Sequence, residues 1–171
     1  AEESVKEKYA GVLPMLLAMR ELAARLREKA AARGALRLES VEARFLLDEQ
    51  GRPAAVYPRV SGEAEGMIEQ FMIAANVAVA RFGREQGLPF LYRVHVQPCA
   101  EKLEMLADTA RRLGFTVGFS PEKASPSALQ ELLDQAEDTP YARLISTGLL
   151  RSMAKAHYSE NPIGHFGLAL G

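Results

Sequence analysis

Between Val12 and Arg33 the apolar positions Met15, Met19, Leu22, Leu26 and Ala30 recur every three or four residues, the spacing of one face of an α-helix. Pro14 falls in its first turn, where the missing N–H removes no helical hydrogen bond. Gly34 follows a basic last turn and marks the stop. Ala35–Leu38 and Val41–Asp48 then carry strand-like residues. The turn sequence Asp48-Glu49-Gln50-Gly51-Arg52-Pro53 leads into Ala54–Val60, so the pattern predicts a β-hairpin.

A second long helix is predicted over Gly62–Arg84, where Met67, Ile68, Phe71, Met72, Ala75, Val79 and Phe82 make it apolar nearly all round. Gly87 and Pro89 close it, and Phe90–Val96 reads as a strand. Leu103, Leu106, Ala107, Ala110 and Leu113 define a third helix ending at Gly114. A short strand-like run, Phe115–Ser120, and a Pro/Ser-rich loop follow. Ser125-Pro126 and Thr139-Pro140 open two more helices, Ala128–Gln135 and Tyr141–Ala156, each with a hydroxyl cap before the proline. The tail His157–Gly171 ends in a strand-like segment, Gly164–Leu170, expected at an exposed sheet edge or paired with another copy. There is no internal repeat and no linker. The expected class is α+β, with long helices packed on short, mostly antiparallel strands.

Composition narrows the function classes. The 171 residues are 48% hydrophobic and 25% charged, enough for one sizeable core and a single domain. No apolar run approaches the ~20 residues of a membrane helix, and the first ten residues lack the features of a signal peptide. Cys99 is the only cysteine, which excludes an internal disulfide and a cysteine zinc site and fits a reducing cytoplasm. A net charge of −1 does not announce a nucleic-acid binder. The basic residues Arg20, Arg25, Arg27, Lys29, Arg33 and Arg37 are interleaved with Glu21 and Glu28, the pattern of a solvated helix face.

The second helix carries the most informative polar residues. Between Met67 and Phe82 only Glu69, Gln70, Asn76 and Arg81 interrupt the apolar sequence. Glu69 and Asn76 are seven residues apart and so lie within about 20° of one another on the helix. Either that face is in water, or a packed Glu69 needs a partner, a ligand or solvent to offset several kcal/mol of desolvation. His95, His157 and His165 lack the spacing of helical metal ligands. His95 alternates with Arg93 on one face of its strand while Tyr92 and Val94 take the other, which suits a structural hydrogen-bonding role. On the last helix Arg151 and Lys155 share a face with Thr147, opposite the stripe Leu144, Ile145, Leu149, Met153 and Ala156. Such a face binds phosphate or is simply solvated.

Five segments, in order along the chain, resemble the RNB domain, the catalytic module of ribonuclease II, ribonuclease R and the eukaryotic exosome nuclease. They are Ala32-Arg33-Gly34-Ala35-Leu36, Ile68-Glu69-Gln70-Phe71-Met72-Ile73-Ala74-Ala75-Asn76, Leu91-Tyr92-Arg93-Val94-His95, Leu149-Leu150-Arg151-Ser152-Met153 and Gly164-His165-Phe166-Gly167-Leu168-Ala169-Leu170. The last two are most similar to the ribonuclease R branch. The resemblance implies processive hydrolysis of single-stranded RNA from its 3′ end to nucleoside 5′-monophosphates, with Mg²⁺ as cofactor of the complete enzyme. It also implies an internal piece of that domain. The family's metal-binding aspartates would lie upstream, and its Ser-Pro-Ile-Arg stretch with the transition-state arginine just downstream.

By the same resemblance Glu69 matches a catalytic-cavity glutamate that contacts the terminal nucleotide. Asn76 matches the asparagine closing that helix motif, and Arg151 is a candidate RNA-channel cation. Gln70 stands where the family often has a second acid, and Leu38 where an aromatic residue often supports the last base. The segment alone is expected to be inactive and to hold no metal, and no obligate protein partner is implied. The rival reading is a non-catalytic RNA-binding or scaffold domain that keeps the framework without its acids; upstream sequence separates the two.

Overall fold

The structure, a computed structural model, describes residues 2–38, 42–59 and 61–171. Its elements are helix α1 (Glu2–Lys8), α2 (Leu13–Ala32), strands β1 (Glu42–Leu47) and β2 (Pro53–Arg59), α3 (Glu63–Glu85), β3 (Tyr92–Val94), α4 (Ala100–Arg112), α5 (Pro126–Ala136), α6 (Ala142–Ser152) and β4 (His157–Ser159). Single 3₁₀ turns occupy Pro121–Lys123 and Phe166–Leu168. The long helices, the hairpin and the short antiparallel pairing agree with the expected α+β class. Val41 and Val60, ends of the expected hairpin strands, lie outside the described residues. The chain divides into two compact units, residues 1–27 with 39–76 and residues 28–38 with 77–171.

In the first unit β1 and β2 pair antiparallel, with Phe45 opposite Val56 and Arg44 opposite Tyr57, and the register shifts between Leu46 and Leu47. The turn is built on Asp48. Its Oδ1 accepts the N–H groups of Gln50 (2.9 Å) and Arg52 (2.8 Å), and its Oδ2 accepts from Arg52 Nε at 3.0 Å. The Arg52 backbone bond is the chief reason the Asp48 carboxyl is held below its usual pKa. Gly51 takes φ +76, the left-handed conformation such a turn demands. All of β2 is solvent-exposed. In α2 the expected stripe turns partly inward at Met19, Leu26 and Ala30, while Met15 and Leu22 are about half exposed and the buried position is Ala23. A small residue, invisible to a search for large apolar side chains, takes the tightest position.

The second unit holds the main core. Leu103, Leu106, Ala107 and Ala110 of α4 meet Leu129, Leu132 and Ala136 of α5 and Ile145 and Leu149 of α6, with Phe119, Ala124 and Phe166 closing the cluster. Burying a leucine of this kind contributes about 1.5–3 kcal/mol. A Cβ on Gly148 would lie 2.8 Å from Leu106 Cδ1, so the glycine permits the close approach of α6 to α4. Ser125 caps α5 as expected, accepting the Ala128 N–H at 3.2 Å.

Four expectations are corrected here. Ala35–Leu38 is not a strand: Leu36 and Leu38 pack against the core, and Leu36 N–H donates to Gly167 O at 2.9 Å. Phe115–Ser120 is likewise irregular; its Thr116 backbone is held at both ends by the Gln135 amide, at 2.9 and 3.0 Å. Helix α6 begins at Ala142 without a side-chain cap and stops at Ser152, because Met153 turns extended (φ −66°, ψ 140°). Lys155 therefore lies beyond the helix, and Leu144, placed on the apolar stripe, is exposed. Finally, Gly164–Leu170 is no unpaired edge strand. His165 and Leu170 exchange backbone hydrogen bonds at 2.7 and 3.2 Å, Phe166 N–H donates to His95 O at 2.8 Å, and Phe166 is buried.

Candidate functional site

Helix α3 places Glu69 and Asn76 as the spacing predicts. Glu65, Glu69, Met72 and Asn76, at successive intervals of four, three and four, are all exposed, whereas Gly66, Gln70, Ile73 and Ala74 turn partly inward. The helix is not wrapped by core on every other side: Ile68, Met72, Val79 and Phe82 are each about half exposed or more. Glu69 and Asn76 have no hydrogen bond or ion pair among the described residues. An exposed carboxylate and amide about 10 Å apart along one helix face offer an anionic acceptor and a bifunctional amide to a ligand.

Arg151 belongs to the second unit, in the last turn of α6, where its charge favours the carbonyl end of the helix. It is exposed and forms no ion pair among the described residues. The anticipated basic face is reduced to this one residue, since Lys155 has left the helix. Leu38, the position linked above to base support, is part-buried against the core.

The best-connected polar side chain is His95. Its Nε2 lies 2.8 Å from Ala154 O, and its Nδ1 accepts the Gly167 N–H at 3.1 Å, which fixes the proton on Nε2. Its backbone joins Gly164 O and Phe166 N. The structural role read from the alternation of Arg93 and His95 thus holds, but its partners, some sixty to seventy residues away, carried no local signal. His165 packs beside it with ring centroids 5.0 Å apart, and its Nδ1 is buried without a partner. Burial first, then neighbouring His95, pushes the His165 pKa down.

Among the described residues no three His, Cys, Asp or Glu side chains converge on a common point. A hard divalent cation needs several oxygen ligands. These residues therefore do not fit a Mg²⁺ cage of their own. No helix is long and apolar enough to cross a membrane, among the described residues.

Long helices, a helical core in one unit and short antiparallel strand pairs, with a carboxylate–amide stripe on α3 that has no partner among the described residues, define an α+β class of protein that presents polar groups on a helix face. The particular family follows from comparison with known proteins: the RNB domain matches residues 1–171, and the chain belongs to that family. Ribonuclease R 1 of Lactococcus lactis subsp. lactis (strain IL1403) is 39% identical over 168 residues, covering 98% of this chain and 21% of that protein. Ribonuclease R of Thermotoga maritima is 45% identical over 150 residues, covering 87% and 21%. The apo form of Mycoplasma genitalium RNase R superposes with a TM-score of 0.87 at 31% identity, covering 93% of this chain and 25% of that one. The same enzyme has been solved with ribose methylated single-stranded RNA at the same TM-score and, at 28% identity and a TM-score of 0.86, with double-stranded RNA. The chain spans about a fifth of the length of the curated relatives it matches.

Proposed function

We propose that the chain is a segment of a cytoplasmic 3′-to-5′ exoribonuclease that hydrolyses single-stranded RNA to nucleoside 5′-monophosphates. The observation that carries this reading is the RNB match over residues 1–171 by a chain whose Glu69 is exposed on α3 and has no partner among the described residues. RNA complexes of a similar enzyme support the substrate class. In this reading Glu69 accepts hydrogen bonds from the hydroxyls of the terminal nucleotide. Asn76 offers its amide further along the same face, and Arg151 supplies a cation to the RNA backbone. In this reading Mg²⁺ is the cofactor of the complete enzyme, and the described side chains of this segment do not make its cage.

The test pairs two proteins on one substrate. The full-length parent, incubated with labelled poly(A) and Mg²⁺, should release 5′-mononucleotides from the 3′ end, whereas the 171-residue chain should leave the RNA intact. A parent that leaves poly(A) untouched would remove the enzymatic reading and favour a scaffold that binds RNA without cutting it.

A further inference from the structure

The outer face of the β3–β4 pair holds an arrangement that the helix α3 site does not use. The register sets Arg93 directly opposite Tyr158. The guanidinium lies over the tyrosine ring, 5.5 Å from its centroid. Both are exposed, Tyr158 to 67%, while Tyr92 and Val94 anchor the inner face. Arg93 makes no ion pair or hydrogen bond among the described residues, so its N–H donors face solvent. Just before β3 and just after β4, Leu91 and Glu160 join Leu88, Pro89, Phe90 and Asn161 in lining an open cleft of about 540 Å³. Leu91, immediately before β3, is two residues from Arg93 in sequence.

A guanidinium over one side of an exposed ring, its N–H donors turned to solvent, with a cleft of mixed polar and apolar lining next to the pair, matches a nucleotide: phosphate on the cation, base on the open side of the ring and in the cleft. A membrane or an acidic peptide would use the charge but not the ring. We infer that Arg93, Tyr158 and the adjoining cleft form a nucleotide subsite for single-stranded RNA, an inference that rests on the ribonuclease reading above. Arg93 binds a phosphate oxygen, Tyr158 stacks a base, and the neighbouring base enters the cleft against Leu91 and Phe90. Asn161 and Glu160 meet its polar edge or the ribose hydroxyls there. Glu160 lies at the cleft end of the face, so the phosphate is drawn to the Arg93 end. Recognition of this kind is indifferent to sequence, since every base has a π-face.

The experiment measures binding of fluorescein-labelled oligo(A) to the full-length parent in EDTA by anisotropy, for wild type, Arg93→Gln, Tyr158→Ala and Tyr158→Phe. Tyr158→Ala should raise Kd about tenfold, the effect of losing one stacked base, while Tyr158→Phe stays near wild type. Arg93→Gln should lower the salt-dependence slope by about 0.7, one single-strand phosphate contact. With Mg²⁺ restored, the variants should keep wild-type kcat and show the loss in KM. Competition by AMP for wild type but not for Tyr158→Ala would assign the same chemistry to a free nucleotide as well as to RNA. All three variants binding with wild-type Kd and slope, while the wild-type parent degrades RNA, would overturn the subsite and leave the ribonuclease reading standing. A wild-type parent that binds but does not degrade RNA would fail that reading alone. Far-ultraviolet circular dichroism checks that each variant is folded.

Discussion

His95 and Gly167 are joined by a hydrogen bond in which the ring Nδ1 accepts the backbone N–H at 3.1 Å, while the opposite ring nitrogen donates to Ala154 O at 2.8 Å. One imidazole therefore ties strand β3 to the segment after α6 and to the C-terminal turn. His95→Leu keeps the bulk but strands an N–H and a carbonyl in a part-buried site, at about 1–3 kcal/mol each. Urea denaturation should show a lower midpoint, and amide exchange at Gly167 should accelerate. Nitrogen-15 NMR should find His95 protonated on Nε2 alone; an Nδ1-protonated ring would sink the assignment.

His165 should make stability depend on pH. Burial and then His95 lower its pKa from the ordinary 6.5. The unfolded chain thus takes up a proton at higher pH than the folded one, so this contribution is complete above about 6.5. It is lost as pH falls through the folded value. Denaturation midpoints of the wild type should drop from pH 7.5 towards about 5.5, and His165→Phe should flatten that part of the curve. Equal slopes in the two proteins would discount His165 as the source.

Gly164 has φ +90 and faces the Leu170 carbonyl, where an added Cβ would come within 2.5 Å of the oxygen. Gly164→Ala meets both backbone strain and a rigid obstacle. A loss of about 1–3 kcal/mol in stability is expected from the strain alone. The contrast is Gly87→Ala, with φ +60 but open space around it, which should cost less. Comparable losses would show that the Leu170 contact matters little.

Glu69→Gln and Glu69→Ala in the full-length parent should slow turnover on single-stranded RNA about 10- to 100-fold, the worth of a hydrogen bond to a charged group. Stability should hardly move, because Glu69 is exposed and has no partner among the described residues. Wild-type kcat/KM across oligonucleotide lengths would take Glu69 out of the site.

How far the sequence could be read depended on whether each signal was local. The hairpin was legible because Asp48 and Gly51 make its turn from adjacent residues, and α5 because Ser125 caps it three residues on. The Glu69–Asn76 stripe followed from helical spacing alone. Helix α1 was not anticipated, since Glu-Glu-Ser-Val-Lys-Glu-Lys has no apolar period. The end of α6 was overrun because apolar residues continue through Met153 and Ala156, while the break is set by Ala154 pairing with His95 far along the chain. Leu36 and Leu38 imitate a strand, yet their burial is against α-helical side chains and the partner of Leu36 is the Gly167 carbonyl. The Arg93–Tyr158 pair exists only through register across distant strands.

That long-range register also bears on the order in which the chain folds. The helices α4, α5 and α6 are consecutive and their core contacts lie within residues 100–152, whereas β3 and β4 must meet from either side of that whole stretch. Closing so long a loop costs chain entropy before any strand hydrogen bond forms. The helical cluster shortens the loop first, so mutations in it, such as Leu129→Ala, should slow refolding. Changes in β4, such as Ser159→Gly, should act mainly on the unfolding rate.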